Sequence, residues 1–528
     1  MDPAPNCSAV WTPSIIACIA SKLSSNEASC LRVVNEAASE ALSEHATIQL
    51  SQPVPVWAFK ERWSQPGACR SLTRAQRRQL VSLTASSNIV PNLEVALAAS
   101  GLPPCEEDLK AAAGSGALDS CRWLAEPGRL AGPVRWEEVM RAAARGGQEA
   151  ACDLCLASDP SLRNDKTFAS MAQAAALHGH VMLMDIMLAA AGEYAYRYSN
   201  EEESGRLFIA ALDGCDLATV QRVCQQAGGR GVWQGYNWGE LTQHSCPIVA
   251  ALGSHAPDWQ AKVTWLLTAE GHTPYANYCL AARRLPASAG AAALERVVWL
   301  ASQPYCALLP EFSCWSFSPF VSSGHAEVLE WILASGVEKV CIRPPPSMLS
   351  SSGASAAREG HLAALQVLAR SPWGSDVDMV AVVEAAAQAG RVEVLVWAWE
   401  AFRSDWDAAC ARTPGLLTWA ARSGSVEAIR WVHSHGGGVV GQEAAWSGAV
   451  ESGCQAAVEV LAELGGPMPS DGSPYARALE LREWALLPLL HAQGVPMGGW
   501  AQERPLLARA LEAGAAPASL LQGLAGEG

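Results

Sequence analysis

A ten-residue pattern that begins with glycine recurs along this 528-residue chain at intervals of about 34 residues. The segments 324–333, 390–399 and 424–433 each carry glutamate at the fourth position and tryptophan at the eighth. Further copies begin at Gly116, Gly147, Gly179, Gly214, Gly360 and Gly453. Examples of these intervals are 31 residues between 116 and 147, 34 residues between 390 and 424, and 36 residues between 324 and 360. A period of this length is typical of helical solenoids.

Each copy of the pattern predicts two helices joined by a turn. An alanine-rich apolar stretch, such as 139–144 or 380–387, ends at a glycine, the residue that most readily adopts the left-handed conformation that stops a helix. In the second helix the large apolar residues cover too wide a stripe for a helix with one packed side. One helix pair therefore cannot bury its own apolar surface, and stacking on the next pair must complete the core. We expect an all-α solenoid of about twelve repeats over residues 75–515, followed by a tail at 516–528.

The repeated pattern resembles the ankyrin repeat. Residues 413–424 match the front half of that family's pattern most fully, and Gly360-His361-Leu362 matches its turn. The resemblance implies an ankyrin-type solenoid that holds a protein target on its concave face. Four tryptophans in the turns between repeats are the predicted target contacts, although packing across neighbouring turns is the alternative for each. They are Trp136, Trp373, Trp406 and Trp500.

Residues 8–45 do not follow the repeat. Apolar residues at 15, 16, 19 and 23 form one helical face, and those from 31 to 42 predict further helical turns. The segment resembles an F-box, a family of three-helix modules that present an apolar surface to the Skp1 adaptor of cullin ubiquitin ligases. The resemblance implies these adaptor-facing or core positions: Pro13, Ile15, Ile16, Ile19, Leu23, Leu31, Val33 and Val34. The alternative is a plain helical cap, because the end repeat of a solenoid needs a polar outer face.

A linker is predicted at residues 46–74. Its stretch 52–57 contains two prolines, which predict an extended spacer. The stretch 60–78 has six basic residues against one acidic residue. It is interpreted as a solvated helix face, with a patch for an acidic partner as the alternative. Two long insertions, 194–205 and 228–245, carry aromatic residues that could contact a partner.

Composition restricts the possible partners and compartments. A formal net charge of −15 argues against non-specific binding to nucleic acid or to acidic membranes, because both require a cationic surface. The N-terminus lacks the pattern of a signal peptide, and no apolar segment is long enough to span a membrane. The 17 cysteines are scattered and odd in number, which favours buried thiols in a reducing compartment. We therefore expect a cytoplasmic or nuclear protein.

No pattern in the sequence assembles a nucleophile, a base and an orienting group. Cys152 and Cys155 with His178 and His180 have the chemistry of zinc ligands, but the cysteines lie where the repeat requires small apolar residues. We expect no catalytic residue, metal or cofactor. The sequence favours a non-catalytic substrate receptor that links a protein target to a Skp1–cullin ubiquitin ligase. The alternative is a scaffold or adaptor without a ubiquitin role, and an enzyme with a helical regulatory array is the least favoured reading.

Overall fold

The computed structural model describes residues 11–130, 132–192, 201–226, 247–268, 292–303, 317–334, 344–411, 415–437 and 442–498. All regular structure in these ranges is helical, with 30 α-helices and no strand. The predicted all-α fold is therefore confirmed for this part of the chain. The number of repeats in the whole chain stays a prediction, and so does their ankyrin type. The tail 516–528 lies outside the described residues.

The chain divides into two compact units. Unit 1 comprises Met1–Cys69 and Gln76–Cys215, and unit 2 comprises Arg70–Ala75 and Asp216–Gly528. The first helices of the chain are α1 (Pro13–Ala20), α2 (Ser25–Leu31), α3 (Glu36–Ala41), α4 (Val56–Trp63), α5 (Arg74–Ser86) and α6 (Val90–Ser100). They are followed by α7 (Glu106–Ser115), α8 (Leu118–Leu124), α9 (Trp136–Arg145), α10 (Glu149–Ser158), α11 (Asp165–Leu177), α12 (Val181–Ala191) and α13 (Glu201–Gly214).

Unit 2 contains the remaining helices. The first of these are α14 (Leu217–Gln226), α15 (Pro247–Gly253), α16 (Trp259–Thr268), α17 (Ala293–Ala301), α18 (Phe317–Ser322), α19 (Ala326–Ala334), α20 (Pro346–Glu359), α21 (Leu362–Arg370), α22 (Met379–Ala389) and α23 (Val392–Ala401). The last are α24 (Arg403–Ala411), α25 (Leu416–Ser423), α26 (Val426–Val432), α27 (Gln442–Ser452), α28 (Gln455–Glu463), α29 (Ser473–Leu481) and α30 (Leu486–Ala492).

Helices pack in chain order within each unit. In unit 1, α7 packs on α9, α9 on α11 and α11 on α13. In unit 2 the first helices of successive pairs form the series α18, α20, α22, α25, α27 and α29, and each contacts the next. The second helices α26, α28 and α30 form a parallel series of contacts. Each pair thus shields the apolar faces of its neighbours, as the wide apolar stripes require.

Helix α22 illustrates how local sequence produces one layer of the stack. The side chain of Asp378 accepts a hydrogen bond from the amide of Ala381 and caps the helix N-terminus. The apolar residues between 379 and 387 are buried on more than one side, including three consecutive alanines at 385–387. Gly390 ends the helix in the left-handed conformation, with φ of +68°. Small alanine side chains let the neighbouring helices α20 and α25 approach from both sides.

The glycine that begins each copy of the pattern is named here its anchor glycine. In several repeats the residue after the anchor glycine reaches back to the anchor glycine of the preceding repeat. A Cβ built on Gly147 lies 2.5 Å from Nδ1 of His180, and one built on Gly324 lies 2.5 Å from the ring of His361. Nε2 of His180 is 2.9 Å from the carbonyl oxygen of Arg145, two residues before the glycine. Arg391 makes the same kind of contact with the preceding repeat. Its Nε donates a hydrogen bond to the carbonyl of Arg358 at 2.7 Å. The glycines therefore make room for a side chain that links adjacent repeats.

We expect Gly147→Ala to lower the free energy of unfolding by about 1–3 kcal/mol. Part of this cost is the left-handed φ of +70°, and the rest is the contact between the new methyl group and the ring of His180. Gly101→Ala is the matched control, since Gly101 has a φ of +65° with no atom within 4 Å of its Cβ position. Urea denaturation of both variants separates the two contributions. Equal losses would contradict the proposed packing of His180 against Gly147.

Candidate protein-interaction surfaces

The N-terminal module consists of the three short helices α1, α2 and α3. Thr12 caps α1 and Pro13 occupies its first turn, where the missing amide costs nothing. Ser24 and Glu27 form a capping box at α2, with the Ser24 amide 2.8 Å from Oε2 of Glu27. The core of the module is small and consists of Ile16, Ala38 and Leu42, with Trp11 and Leu31 packed against it.

Several apolar side chains of this module face solvent. Ile15 and Ile19 are exposed and lie four residues apart, so they share one face of α1. Val33 and Val34, in the turn after α2, are also exposed, and Val33 has 76% of its surface accessible. Pro13 is exposed, whereas Leu23 and Leu31 are partly buried. Ile16 is fully buried and belongs to the core. The eight predicted positions thus divide into one core residue, two partly buried residues and five exposed ones.

Residues 46–74 are more structured than the predicted linker. The side-chain amide of Asn26 in α2 donates to the carbonyl of Gln49 at 2.8 Å, and its oxygen accepts the Gln49 amide at 2.8 Å. The buried Asn92 of α6 donates to the carbonyl of Val54 at 2.9 Å. Helix α4 begins at Val56 and packs on α6. Residues 49–54 are therefore hydrogen-bonded to two buried asparagines, and the proline-containing stretch leads directly into helix α4.

The tryptophans predicted to contact a target differ in accessibility. Trp136 is partly buried. Trp373 is buried and packs edge-on against Phe317, with ring centroids 5.0 Å apart. Trp406 has no exposed surface. Trp500 lies outside the described residues. Trp373 and Trp406 are therefore packed inside the structure, and Trp406 lies in helix α24 and not in a turn.

An aromatic cluster surrounds Trp406. Its ring meets the edge of Trp431 at a centroid distance of 5.2 Å, and its Nε1 donates to the carbonyl of His435 at 2.9 Å. The imidazole of His435 stacks on Trp431 with centroids 4.1 Å apart and meets Trp399 edge-on. No pattern in the sequence indicates that Trp431 and His435 stack on each other. Trp431 itself is only partly buried, as are the other tryptophans at the eighth position of the repeat. These are Trp123, Trp265, Trp299, Trp331 and Trp397.

The basic stretch 60–78 finds acidic and carbonyl partners within the chain. In unit 2, Nε of Arg70 donates to Glu459 at 2.6 Å and Nη1 of Arg74 donates to Glu483 at 2.7 Å. In unit 1, the buried Arg77 donates to the carbonyl of Ser100, and Arg78 donates to Asp108 at 2.9 Å. Arg77 is buried, so the interpretation as a solvated helix face does not apply to it, whereas Arg70 and Arg74 stay partly in solvent while they pair with glutamates. The excess of basic residues was visible in the sequence, but the sequence did not indicate which acidic residues would pair with them.

The thiols that could have suggested a metal site are buried. Cys152 and Cys155 are almost inaccessible, and burial raises the pKa of each thiol to about 12. Neutral thiols of this kind are poor metal ligands. Nε2 of His180 is engaged with the Arg145 carbonyl. Among the described residues, no group of three or more acidic, histidine or cysteine side chains is arranged to hold a metal ion.

One pair of residues has the composition of a serine–lysine catalytic pair. Nζ of Lys262 donates to Oγ of Ser254 at 2.7 Å, and neither residue has any exposed surface. Asp258 lies 3.5 Å from the same ammonium group and accepts the amide of Leu217 at the start of α14. A nucleophile must touch a substrate atom, and this serine is sealed from solvent. The arrangement instead joins α14, the turn after α15 and α16 through a polar network around the buried Lys262.

The sequence matches no protein-family model and no curated protein. The resemblances to ankyrin repeats and to the F-box therefore stay predictions that depend on the residues quoted above. No helix in the described ranges combines the length and the apolar character that crossing a lipid bilayer requires.

Proposed function

We propose that this chain is a non-catalytic protein-interaction protein that acts as a substrate receptor. In this proposal the repeat array holds a protein target, and the N-terminal module docks a Skp1-type adaptor of a cullin ubiquitin ligase. The ligase chemistry would belong to the partners. Free, largely buried cysteines persist in reducing compartments, so we place this function in the cytoplasm or the nucleus.

The observation that carries the proposal is the exposed apolar surface of the N-terminal module. A module with a core of three buried residues leaves Ile15, Ile19, Val33 and Val34 in solvent. Exposed apolar side chains lower the free energy of a complex when a partner buries them, by about 1.5–3 kcal/mol for a fully exposed large side chain and by less for Ile15 and Ile19, which are already partly covered. The exposed residues coincide with positions that the F-box resemblance assigns to the adaptor contact.

Co-purification with a Skp1 adaptor tests the proposal. We expect Ile15→Asp combined with Ile19→Asp to weaken adaptor binding at least about tenfold, because both charged groups would have to be desolvated at the contact. Ile16 is unsuitable for this purpose since it belongs to the core of the module. Ile48→Asp is the matched control, because Ile48 is 45% exposed, close to the 43% of Ile15, but lies outside the predicted contact. Undiminished adaptor binding by the double variant would contradict the proposal.

A scaffold without a ubiquitin role is the second candidate function. The hydrogen bonds of Asn26 and Asn92 to residues 49–54 favour it, since they connect the N-terminal module to the start of the helical array in unit 1. A cap is expected to make such connections. If the scaffold hypothesis is right, Asn26→Ala will reduce the protection of helices α5 and α6 from hydrogen exchange. No adaptor will then co-purify with the wild-type chain.

A further inference from the structure

Residues 70–75, named here the arginine strap, lie on the last described repeats of unit 2. The carbonyl oxygen of Arg70 accepts the amide of Ala456 at 3.1 Å, at the N-terminus of α28. That helix has no side-chain cap at Cys454, so the strap supplies a hydrogen-bond acceptor that the local sequence lacks. The Sγ of Cys454 also points to the Arg70 carbonyl, at 3.6 Å.

Two arginines fix the strap at an interval of four residues. Nε of Arg70 donates to Oε2 of Glu459 on α28 at 2.6 Å. Nη1 of Arg74 donates to Oε1 of Glu483 at 2.7 Å and also to the carbonyl of Leu481, in the last turn of α29. A cation at a helix C-terminus interacts favourably with the helix dipole. Glu459 and Glu483 thus each pair with one of two arginines on the same short chain segment.

A glycine lets the strap approach closely. The methyl group of Thr73 lies 2.5 Å from the position that a Cβ on Gly424 would occupy, and Gly424 has a φ of +70°. In the repeats described above, the space over the anchor glycine is filled by the next repeat. Over Gly424 it is shared by Cys454, Ser452 and Thr73 of the strap. Thr73 of the strap therefore occupies part of the space that the missing side chain of Gly424 leaves open.

The ion pairs that hold the strap lie at the protein surface. Arg70 keeps 55% of its side-chain surface exposed while Glu459 keeps 17%, and Arg74 is likewise more exposed than Glu483. The carboxylates are thus the less accessible members of both pairs, Glu459 on helix α28 and Glu483 in the turn between α29 and α30. Ion pairs with an exposed member are individually weak, so a segment held in this way can exchange with a similar one.

We propose that the surface under the strap is a binding site for an arginine-bearing peptide segment of a partner, and that residues 70–75 occupy it within the same chain. The site takes two arginines separated by three residues, with the backbone carbonyl of the first on the Ala456 amide. The partner segment competes with the strap, which makes the strap an autoinhibitory contact. This inference rests on the proposed role of the array as the target-binding part, and it is independent of adaptor binding.

A fluorescein-labelled peptide with the sequence of residues 67–76 tests the site on the full-length chain. We expect the variant Arg70→Ala/Arg74→Ala to bind the peptide at least tenfold more tightly than the wild type, because a tethered segment competes at a high effective concentration. Adding Glu459→Arg and Glu483→Arg to that variant should abolish binding. A peptide with both arginines replaced by glutamate is the matched probe control.

Hydrogen exchange at the Ala456 amide gives a second readout, which reports release of the strap in the variant before any peptide is added. We expect faster exchange in Arg70→Ala/Arg74→Ala and restored protection when the peptide is added. Absence of peptide binding to both the variant and the wild type would overturn the inference, and so would unchanged Ala456 protection in the variant. Peptide binding without adaptor binding would remove only the ubiquitin role, whereas adaptor binding without peptide binding would remove only this inference.

Discussion

Replacing Trp406 with alanine is expected to lower the free energy of unfolding of the helices around it by about 3–5 kcal/mol. Trp406 is a large side chain with no exposed surface, so its removal leaves a cavity that rigid neighbouring helices close only in part. The change also removes the edge-on contact with Trp431 and the hydrogen bond to the His435 carbonyl. The partly buried carbonyl of His435 loses its donor, which adds to the cost.

Local stability is the appropriate measurement for Trp406→Ala. Each repeat mainly contacts its neighbours, so the loss should concentrate in helices α24, α25 and α26. Hydrogen exchange should therefore show weaker protection at residues 403–437 and unchanged protection in α7 of unit 1. Chemical denaturation followed by circular dichroism gives the corresponding free energy.

Two control variants separate the contributions at this site. Trp406→Phe keeps most of the apolar volume and removes the indole N–H, so its expected cost is about 1–2 kcal/mol. Trp419→Ala removes a partly buried tryptophan on the adjacent helix α25 and should cost less than Trp406→Ala. A loss below about 1 kcal/mol for Trp406→Ala would show that Trp406 does not anchor this part of the array.

Asp108→Ala is expected to destabilise unit 1 by about 3–5 kcal/mol. The carboxylate of Asp108 is fully buried and accepts three hydrogen bonds. They come from the amide of Cys105 at 2.9 Å, from Nη1 of Arg78 at 2.9 Å and from Oγ of Ser82 at 2.7 Å. Removing the acceptor uncaps α7 and leaves the serine hydroxyl and part of the guanidinium charge without a partner. Arg78 retains its hydrogen bond to the carbonyl of Pro103, which limits the loss.

Thermal and urea denaturation of Asp108→Ala should be compared with Glu107→Ala. Glu107 is the preceding residue, its side chain is 66% exposed and it pairs with Lys110 on the same helix. An exposed pair of this type contributes little, so the control should change stability by less than about 0.5 kcal/mol. Asp108→Asn should fall between the two, because one of its amide hydrogens would face a donor. Similar stabilities for Asp108→Ala and Glu107→Ala would contradict the role of Asp108 as the buried acceptor.

Both predictions concern contacts between helices that are close in the stack. The sequence patterns did not indicate the partners of either Trp406 or Asp108. The periodicity of the second helix identified which residues face other helices, but Trp406 lies outside that pattern, on an additional helix between α23 and α25. Asp108 lies in the first turn of α7, where an acidic residue is expected on local grounds alone. Its pairing with Arg78 and Ser82 arises because α5 and α7 are neighbours in the stack.

The candidate interaction surfaces show the same division. The sequence placed residues 15, 16 and 19 on one helical face, and only the structure decided that Ile16 enters the core while Ile15 and Ile19 stay exposed. The position of the basic stretch was also visible in the sequence. Its partner was not, because Arg70 and Glu459 are 389 residues apart and no pattern in one segment depends on the other.

The sequence by itself determined the repeat, the helix pairs and the turns, because glycine conformation and apolar spacing act over distances of a few residues. It also determined the excess of positive charge before the array. Only the tertiary structure decided that His180 and Arg391 cover the anchor glycines of the preceding repeats, that Trp406 is enclosed, and that the arginine strap lies on Glu459 and Glu483. These contacts join residues that the stacking of helices brings together, and their energies depend on burial and distance, which local sequence does not encode.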